Sequence, residues 1–174
     1  TRELCAVEFG GPGSRLFRGF TRKFFTRTAG VCLKDVRPEN IKKFDAENNH
    51  MVIEKNILDT RNKTYAEIVQ AVGKVDLIIS KMEGSWVFSA RDGIVLDRII
   101  NNWYSILNEN SLMFIQFNMQ YMPDMQHMVE KWADAIKEKL PKIDIQVEKN
   151  VLRLHKREGA PEELPPATQL FKQS

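Results

Sequence analysis

The stretch LCAVEFGGPGS (residues 4–14) places three glycines and a proline directly behind a short apolar run. A compact apolar run that stops at a turn signal is typical of a buried parallel strand. Glycine supplies the backbone angles of a tight turn, and it also lets the backbone approach a ligand closely. The stretch therefore predicts a buried first strand followed by either a plain turn or a ligand loop.

The remainder of the chain alternates β-type apolar runs with helical patterns. Strands are predicted at residues 31–36, 50–58, 75–80 and 111–117. Helices are predicted at residues 14–30, with Gly30 as the C-cap, and at 38–48, 64–73, 89–107 and 122–140. Two alternating runs, 142–149 and 151–157, indicate a hairpin. The chain is thus predicted to be an α/β protein, a Rossmann-like three-layer sandwich with a mostly parallel sheet ending in an antiparallel hairpin.

Composition narrows the class of protein. A chain of 174 residues is long enough for one domain with a sizeable core, and its net charge of +3 does not by itself indicate a nucleic-acid partner. Cys5 and Cys32 lie inside apolar runs, which predicts buried thiols in a reducing, cytoplasmic compartment. No signal peptide or membrane-spanning stretch is recognised. The domain is predicted to cover 1–157, and the proline-rich tail 158–174 to be extended or poorly ordered.

Polar groups follow the predicted strands at the edge where open α/β sheets bind their ligands. The loop of Gly10, Gly11 and Gly13 leads into a predicted helix with Ser14 as its N-cap, and the free N–H groups there favour an anionic group. Asp35 follows the second strand, where a carboxylate accepts hydrogen bonds from ribose hydroxyls; the alternative is a solvated loop carboxylate. This placement favours a ligand loop over a plain turn.

The third predicted strand is followed by Asn56 and Asp59, which are able to address an adenine edge. The alternative for both is local, an Asx-type turn or the N-cap of the next helix. The fourth strand is followed by Lys81 and Glu83, at the place where chemistry is expected. Either Lys81 would lower the pKa of an acceptor or Glu83 would act as a base, unless Lys81 simply pairs with Glu83 or a neighbour at the surface.

Two further features suggest a nucleic-acid substrate, and each has a plainer alternative. On the predicted first helix, Arg15, Arg18 and Arg22 fall on one face, either as a phosphate-contacting stripe or as a solvated face. Trp86, in the loop after the fourth strand, either stacks on a base or packs as a lid over the core.

Several common site motifs are not found. The glycine loop lacks the third glycine of a G-x-G-x-x-G fingerprint and the lysine of a P-loop. No G-x-S-x-G elbow occurs, the three histidines are scattered, and two lone cysteines give no support for a metal site.

The order of these parts resembles that of the class I S-adenosylmethionine-dependent methyltransferases, from Leu4 to about Arg157. VEFGGPGS resembles the glycine-rich first motif, LKDV the acidic end of the second strand, VIEKNILD the third motif and VDLIISKME the fourth. The resemblance implies that the glycine loop passes the methionine end of S-adenosylmethionine, that Asp35 holds its ribose, and that Asn56 or Asp59 lies beside its adenine.

Within that superfamily, DLIISKM followed by LMFIQF is most similar to the FtsJ-like and viral RNA 2′-O-methyltransferases, which use a Lys-Asp-Lys-Glu tetrad. The chain departs from this tetrad. Lys81 stands at the aspartate position, Gln116 at the position of the second lysine, and Lys149-Asn150 near that of the glutamate. The first lysine would precede Leu4.

The resemblance implies methyl transfer from S-adenosylmethionine, with RNA, at a ribose hydroxyl or a base, as the acceptor. Lys81, Glu83 and Gln116 would form the catalytic set, and Arg15, Arg18 and Trp86 would contact the substrate. The alternative is a catalytically lapsed methyltransferase fold that serves as a binding or scaffold subunit. A further alternative is that a protein partner, or a preceding chain segment that supplies a catalytic lysine, completes the site.

Overall fold

A seven-stranded sheet organises the chain in the computed structural model, which describes residues 2–19, 21–59, 62–82, 95–117 and 123–166. The strands are β1 (Cys5–Phe9), β2 (Arg27–Cys32), β3 (His50–Glu54), β4 (Val75–Met82), β5 (Leu107–Phe117), β6 (Ile143–Glu148) and β7 (Val151–Lys156). The helices are α1 (Ser14–Phe17), α2 (Thr21–Phe24), α3 (Glu39–Glu47), α4 (Asn62–Val72), a π-helical segment (Val95–Ile100) that continues into α5 (Asn101–Ile106), and α6 (Pro123–Lys139).

The strand order is β3-β2-β1-β4-β5-β7-β6, and β1 to β5 are parallel. Strand β7 runs antiparallel to both β5 and β6. The predicted Rossmann-like α/β architecture with its closing hairpin is therefore confirmed. Because β1 lies between β2 and β4, where the strand order reverses, the loop after β1 opens at the usual ligand position of such sheets.

The hydrophobic core lies on one face of this sheet. Val7 and Phe9 of β1 belong to the same buried cluster as Ile68 of α4, Trp103 of α5 and Trp132 of α6. The ring of Trp103 stacks on Phe9 at 4.6 Å between centroids, and its Nε1 donates to the Tyr65 hydroxyl at 3.0 Å. This stack fixes the end of β1, from which the glycine loop departs.

The second strand lies earlier in the chain than predicted. Residues 14–30 do not form one helix: α1 ends at Phe17, α2 ends at Phe24, and Arg27 already begins β2. Gly30 is therefore not a helix C-cap but the centre of a strand, paired with Glu8 of β1 and Val52 of β3. Burial between two parallel neighbours overrides the weak strand preference of this small-residue sequence.

Beyond β7, the described part of the tail contacts the domain. Ala160 and Leu164 are buried, and the Tyr104 hydroxyl donates to the Pro161 carbonyl at 2.6 Å. The boundary at residue 157 stays a prediction. Among the helices that the structure describes, none has the length and apolar character needed to cross a membrane.

Candidate functional site

The glycine loop lies across strand β2. Gly10 has a φ of 95°, and its N–H donates to the Val31 carbonyl at 2.8 Å. A Cβ on Gly30 would lie 2.1 Å from the carbonyl carbon and oxygen of Pro12. The missing side chain of Gly30 is therefore what lets the loop rest on the strand.

The side chain of Glu8 on β1 anchors the glycine loop by a hydrogen bond. Its Oε2 accepts a hydrogen bond from the Gly13 N–H at 2.7 Å, and a Cβ on Gly11 would lie 2.7 Å from the same oxygen. Burial raises the pKa of Glu8, opposed by the Gly13 N–H and by the charge of Lys81. The loop thus wraps a carboxylate of the protein itself and has no free Gly13 N–H to offer to an anion.

The predicted N-cap at Ser14 is wrong. Ser14 is the first residue of the single-turn helix α1, Gly13 precedes that helix with a φ of 67°, and no side chain caps it. Ser14 is buried, and its Oγ lies 3.2 Å from the donating Nη2 of Arg18. The expectation of an anion at a helix N-terminus behind the loop is not supported, because one helical turn has almost no dipole.

Asp35 lies beyond the end of β2, and its carboxylate is engaged by Arg37. Asp35 Oδ1 accepts from the backbone N–H and Nε of Arg37 at 3.1 and 2.9 Å, and Oδ2 accepts from Nη2 at 2.8 Å. This guanidinium lowers the pKa of Asp35 to about 2. Arg37 also bonds the buried Asp45 at 2.6 Å. The carboxylate of Asp35 is thus one half of a fixed ion pair.

Three carboxylates meet near the ends of β1, β2 and β3. Glu54, the last residue of β3, accepts from the Asp35 backbone N–H at 2.7 Å. Burial raises the pKa of the Cys32 thiol, and the charges of Asp35, Glu54 and Glu8 raise it further. The charge of Arg37, which is paired with Asp35, acts on the same thiol in the opposite direction.

Asn56 forms the Asx-type bond that its alternative interpretation predicted, and Asp59 bonds a side chain of helix α4. Asn56 Oδ1 accepts from the Leu58 N–H at 3.0 Å, and Asp59 Oδ2 accepts from the Thr64 hydroxyl at 2.9 Å. Both nevertheless line a groove of about 410 Å³ between the end of β3 and helix α4. The groove is further lined by Leu33, Glu54, Lys55, Lys63, Thr64 and Glu67.

Lys81 and Gln116 lie side by side on neighbouring strands. They are partners in the register of β4 and β5, and both are exposed. Lys81 shares a sheet face with Ile79, which pairs with Glu8, so Lys81 projects on the same side as Glu8. The predicted catalytic Glu83 and substrate-binding Trp86 lie outside the described residues.

The predicted arginine stripe is interrupted. Arg15 lies in α1, Arg18 follows its last residue, and Arg22 lies in the separate helix α2. Arg15 is exposed, whereas the Arg18 guanidinium lies 6.0 Å from the centroid of the Phe44 ring. One continuous helical face of arginines is therefore not formed. Among the described residues, no group of His, Cys, Asp or Glu is placed to hold a metal ion.

Comparisons with known proteins agree with this geometry at the level of the fold. No family model matches the chain, and no curated protein sequence matches it. Solved structures do. The MycE methyltransferase from the mycinamycin biosynthetic pathway, in complex with Mg and SAH, superposes with a TM-score of 0.61 at 16% identity, over 90% of this chain and 45% of that chain. This chain shares the Rossmann-like fold of that methyltransferase.

Two other methyltransferases show the same likeness. An rRNA methylase from Streptococcus thermophilus has a TM-score of 0.53 at 10% identity, over 90% of this chain and 88% of that chain. The ribosomal protein L11 methylase from Lactobacillus delbrueckii subsp. bulgaricus has a TM-score of 0.52 at 14% identity, over 91% of this chain and 72% of that chain. The chain spans less than half of the length of the MycE chains.

Sequence reasoning misses part of the site. The local pattern places Gly30 at a helix end and Glu54 inside a strand, and it gives His50 no role. A glycine inside a run of small residues beside a glycine loop is a usable signal for close backbone approach. Nothing local marks Glu54 or His50, because their partners lie on other elements of the fold.

Proposed function

We propose that this protein binds S-adenosylmethionine at the carboxyl edge of its sheet and transfers the methyl group to an acceptor, with RNA as the acceptor class. The observation that carries the cofactor is the Glu8 carboxylate held inside the glycine loop by the Gly13 N–H. The methyltransferase fold of the structural neighbours supports the reaction class.

The charge of the site favours this cofactor over a nucleotide carrying phosphates. S-Adenosylmethionine bears a sulfonium, an ammonium and one carboxylate group, so its net charge is positive and carboxylates attract it. A pyrophosphate needs free N–H groups or cations at a glycine loop. Here the Gly13 N–H is used by Glu8, whose carboxylate lies inside the loop. An NAD or nucleotide-sugar cofactor would therefore meet repulsion where its phosphates lie.

The proposed binding set follows the strand ends. The loop of Gly10, Gly11 and Gly13 and the adjoining Ser14 would hold the methionine end. The groove beside Asn56 and Asp59 would take the adenosine.

Two acids are candidates for the ribose hydroxyls. Glu54 lines the groove and has an exposed carboxylate, whereas the carboxylate of Asp35 is bonded to Arg37. We therefore propose that the Glu54 carboxylate binds the ribose hydroxyls. The backbone N–H of Asp35 donates to the Glu54 side chain and holds it in position.

The proposed chemistry uses residues at and beyond the end of β4. Bound S-adenosylmethionine supplies an electrophilic methyl group on a positively charged sulfur. An acceptor hydroxyl would lose its proton as its oxygen bonds the methyl carbon. The carbon–sulfur bond would break, and S-adenosylhomocysteine would be the leaving group. The positive charge of Lys81 would lower the pKa of the hydroxyl, Glu83 would receive the proton, and Gln116 would orient the substrate by hydrogen bonding. Arg15, Arg18 and Trp86 are proposed to contact the RNA.

Calorimetric titration of the purified chain with S-adenosylmethionine, S-adenosylhomocysteine and NAD tests the cofactor assignment. We expect micromolar binding of the first two ligands and none of NAD. Absence of binding at millimolar S-adenosylhomocysteine would contradict the proposal, and tighter binding of NAD would reverse the electrostatic argument.

The two candidate ribose acids are distinguished by isosteric variants. Glu54→Gln is expected to weaken binding of S-adenosylhomocysteine by about 1–3 kcal/mol, because hydrogen bonds to a charged acceptor are lost. Asp35→Asn is expected to have the smaller effect, because its carboxylate is already bonded to Arg37. Titration calorimetry measures both. A larger loss of affinity in Asp35→Asn than in Glu54→Gln would show that Asp35 binds the ribose.

Lys81→Ala is expected to reduce methyl transfer by about 10²–10⁴-fold while leaving cofactor affinity unchanged, as removal of a group that assists proton transfer does. The measurement is transfer of radiolabelled methyl to an RNA pool, paired with calorimetry. Lys137→Ala, at an exposed position in the last turn of α6, is the matched lysine control. Full turnover in Lys81→Ala would leave Lys81 as a surface residue.

A second function is favoured by one observation. Lys81 is paired across the sheet with the neutral Gln116, so these strands bring together no lysine-and-acid pair of the tetrad type. A lapsed methyltransferase fold acting as a binding subunit would have this arrangement. It would show no methyl transfer to RNA in the same assay, with cofactor binding weak or lost.

A further inference from the structure

His50 connects the glycine loop to the body of the sheet. It is the first residue of β3, its side chain is buried, and both ring nitrogens have partners. Nδ1 lies 2.7 Å from the Thr28 hydroxyl on β2, and Nε2 lies 2.7 Å from the Pro12 carbonyl oxygen in the loop. Pro12 and His50 are far apart in the sequence, so the contact exists only in the folded protein.

The partners determine where the ring carries its proton. A carbonyl oxygen only accepts hydrogen bonds, so Nε2 must be the protonated nitrogen that donates to Pro12. Nδ1 is then an acceptor, and the Thr28 hydroxyl donates to it. Burial lowers the pKa of His50, which keeps the ring neutral near pH 7. The Pro12 carbonyl thus selects the tautomer, and the Thr28 hydroxyl supports it by donating to the unprotonated Nδ1.

The carbonyl of Pro12 and the N–H of Gly13 belong to one peptide plane, and in a trans peptide they point in opposite directions. His50 of β3 bonds the carbonyl end, and Glu8 of β1 bonds the N–H end. The peptide is thus hydrogen-bonded at both its carbonyl and its N–H end. Its carbonyl carbon also packs against Gly30. Gly13 has a φ of 67°, and a glycine adopts other backbone angles easily. The peptide is therefore free to flip if either hydrogen bond is lost.

We propose that His50 is a positioning residue of the glycine loop, which fixes the orientation of the Pro12–Gly13 peptide by donating from Nε2 to the Pro12 carbonyl. The effect of His50 on cofactor affinity rests on the proposed function, whereas its hydrogen bond to the loop does not. With the peptide fixed, the Gly13 N–H faces Glu8 and the loop presents one surface to a ligand. With the peptide free, binding has to select that orientation first.

The charged groups around the imidazole come from three elements. Arg18 follows α1, Asp45 lies on α3, and Arg37 and Asp35 precede α3; Arg18 and Asp45 line a small cavity beside His50. Asp45 and Asp35 favour a charged ring, and Arg37 disfavours it. Arg37 is bonded to both acids, and burial is the largest influence on the ring and keeps it neutral. In the neutral ring the Pro12 carbonyl fixes the proton on Nε2.

The test compares His50→Leu, which removes both bonds, with His50→Gln, whose amide retains a donor for Pro12. Thr28→Val removes only the donor to Nδ1. His155→Leu, at a half-buried histidine of β7, is the control. Amide hydrogen exchange at Gly13, followed by NMR in the ligand-free protein, reports the peptide directly, and titration with S-adenosylhomocysteine reports affinity.

We expect His50→Leu to raise Gly13 exchange and weaken S-adenosylhomocysteine binding by about tenfold each, the equivalent of one buried hydrogen bond. His50→Gln should restore most of both, and His155→Leu should change neither. Nitrogen NMR of the wild-type ring should show a protonated Nε2 and an unprotonated Nδ1, and Thr28→Val should reduce that preference and raise Gly13 exchange.

Unchanged Gly13 exchange in Thr28→Val and in folded His50→Leu, or a ring protonated at Nδ1 in the wild type, would overturn the inference. If His50→Leu does not fold, Thr28→Val and the ring spectrum distinguish the same two outcomes. A wild-type protein that binds no S-adenosylhomocysteine but shows the expected exchange pattern would refute the proposed function and leave the role of His50 intact.

Discussion

Gly30→Ala is expected to weaken cofactor binding strongly and to destabilise the fold. The new Cβ would lie 2.1 Å from the carbonyl carbon and oxygen of Pro12, which is far inside van der Waals contact. Both groups are backbone, so neither is able to rotate away, and the loop has to lift off β2. Lifting the loop breaks the bonds from Gly10 to Val31 and from His50 to Pro12.

The expected loss of unfolding free energy in Gly30→Ala is about 1–3 kcal/mol, the usual range for overpacking a closely packed site. Affinity for S-adenosylhomocysteine should fall at least about a hundredfold, close to 3 kcal/mol. Chemical denaturation and calorimetry measure the two effects. Gly19→Ala is the matched control, because a Cβ there meets nothing within 4 Å. Wild-type affinity in Gly30→Ala would show that the loop does not need its position over β2.

Arg37→Ala is expected to have the largest effect on stability. The Arg37 guanidinium bonds both Asp35 and Asp45, and the Asp45 side chain is only 4% exposed. Removing one partner of a buried ion pair leaves the other charge without compensation, at a cost of about 3–5 kcal/mol. Lys42→Ala, which breaks the exposed pair with Glu39, should change the free energy of unfolding far less, because solvent screens the pair. Urea unfolding at pH 7 compares the two variants.

The effect of Arg37→Ala should depend on pH with a definite sign. Arg37 lowers the pKa of Asp35 from 3.8 to about 2, so the folded state favours the ionised form. The stabilisation is fully present above pH 4 and is lost as the pH falls towards 2. The difference in unfolding free energy between wild type and Arg37→Ala should therefore shrink over that interval. A difference that stays constant from pH 7 to pH 2 would show that the pair contributes nothing through Asp35.

These two variants test different parts of one edge of the sheet. Gly30→Ala moves the loop that would hold the methionine end of a cofactor, whereas Arg37→Ala releases the carboxylate of Asp35. If Asp35 is the ribose acid, a folded Arg37→Ala protein should bind S-adenosylhomocysteine more tightly, because the competing guanidinium is gone. If Glu54 is the ribose acid, that affinity should stay near the wild-type value or fall.

Much of the architecture could be predicted from the sequence. The runs CAVEF and VDLIIS and the paired runs around Lys149-Asn150 each form the predicted strand or hairpin, because strongly apolar or alternating runs fit only one kind of burial. Helix α3 begins immediately after Pro38, and α4 ends before Gly73 with its φ of 71°. Where local preference and burial agree, the prediction and the structure agree.

The error at residues 14–36 has a physical cause. RTAGVC has weak strand preference, and phenylalanines at helical spacing precede it, so the local pattern favours a long helix. The segment becomes a strand because β1 and β3 pair with it on both sides. Its small residues are needed there, since the glycine loop crosses it at Gly30. The same small residues that give the segment a weak strand preference therefore also allow the glycine loop to pack on it.

By itself, then, the sequence determined the alternation of strands and helices, the position of the glycine loop after β1, and the presence of Glu8 before it. Only the tertiary structure decided which groups act on that loop: Gly30 beneath it, His50 bonded to Pro12, and Arg37 rather than a ligand on the Asp35 carboxylate. The reason is that secondary structure follows from neighbours within a few residues. A hydrogen-bond partner across a parallel sheet is fixed by strand order and register, which the whole core sets together.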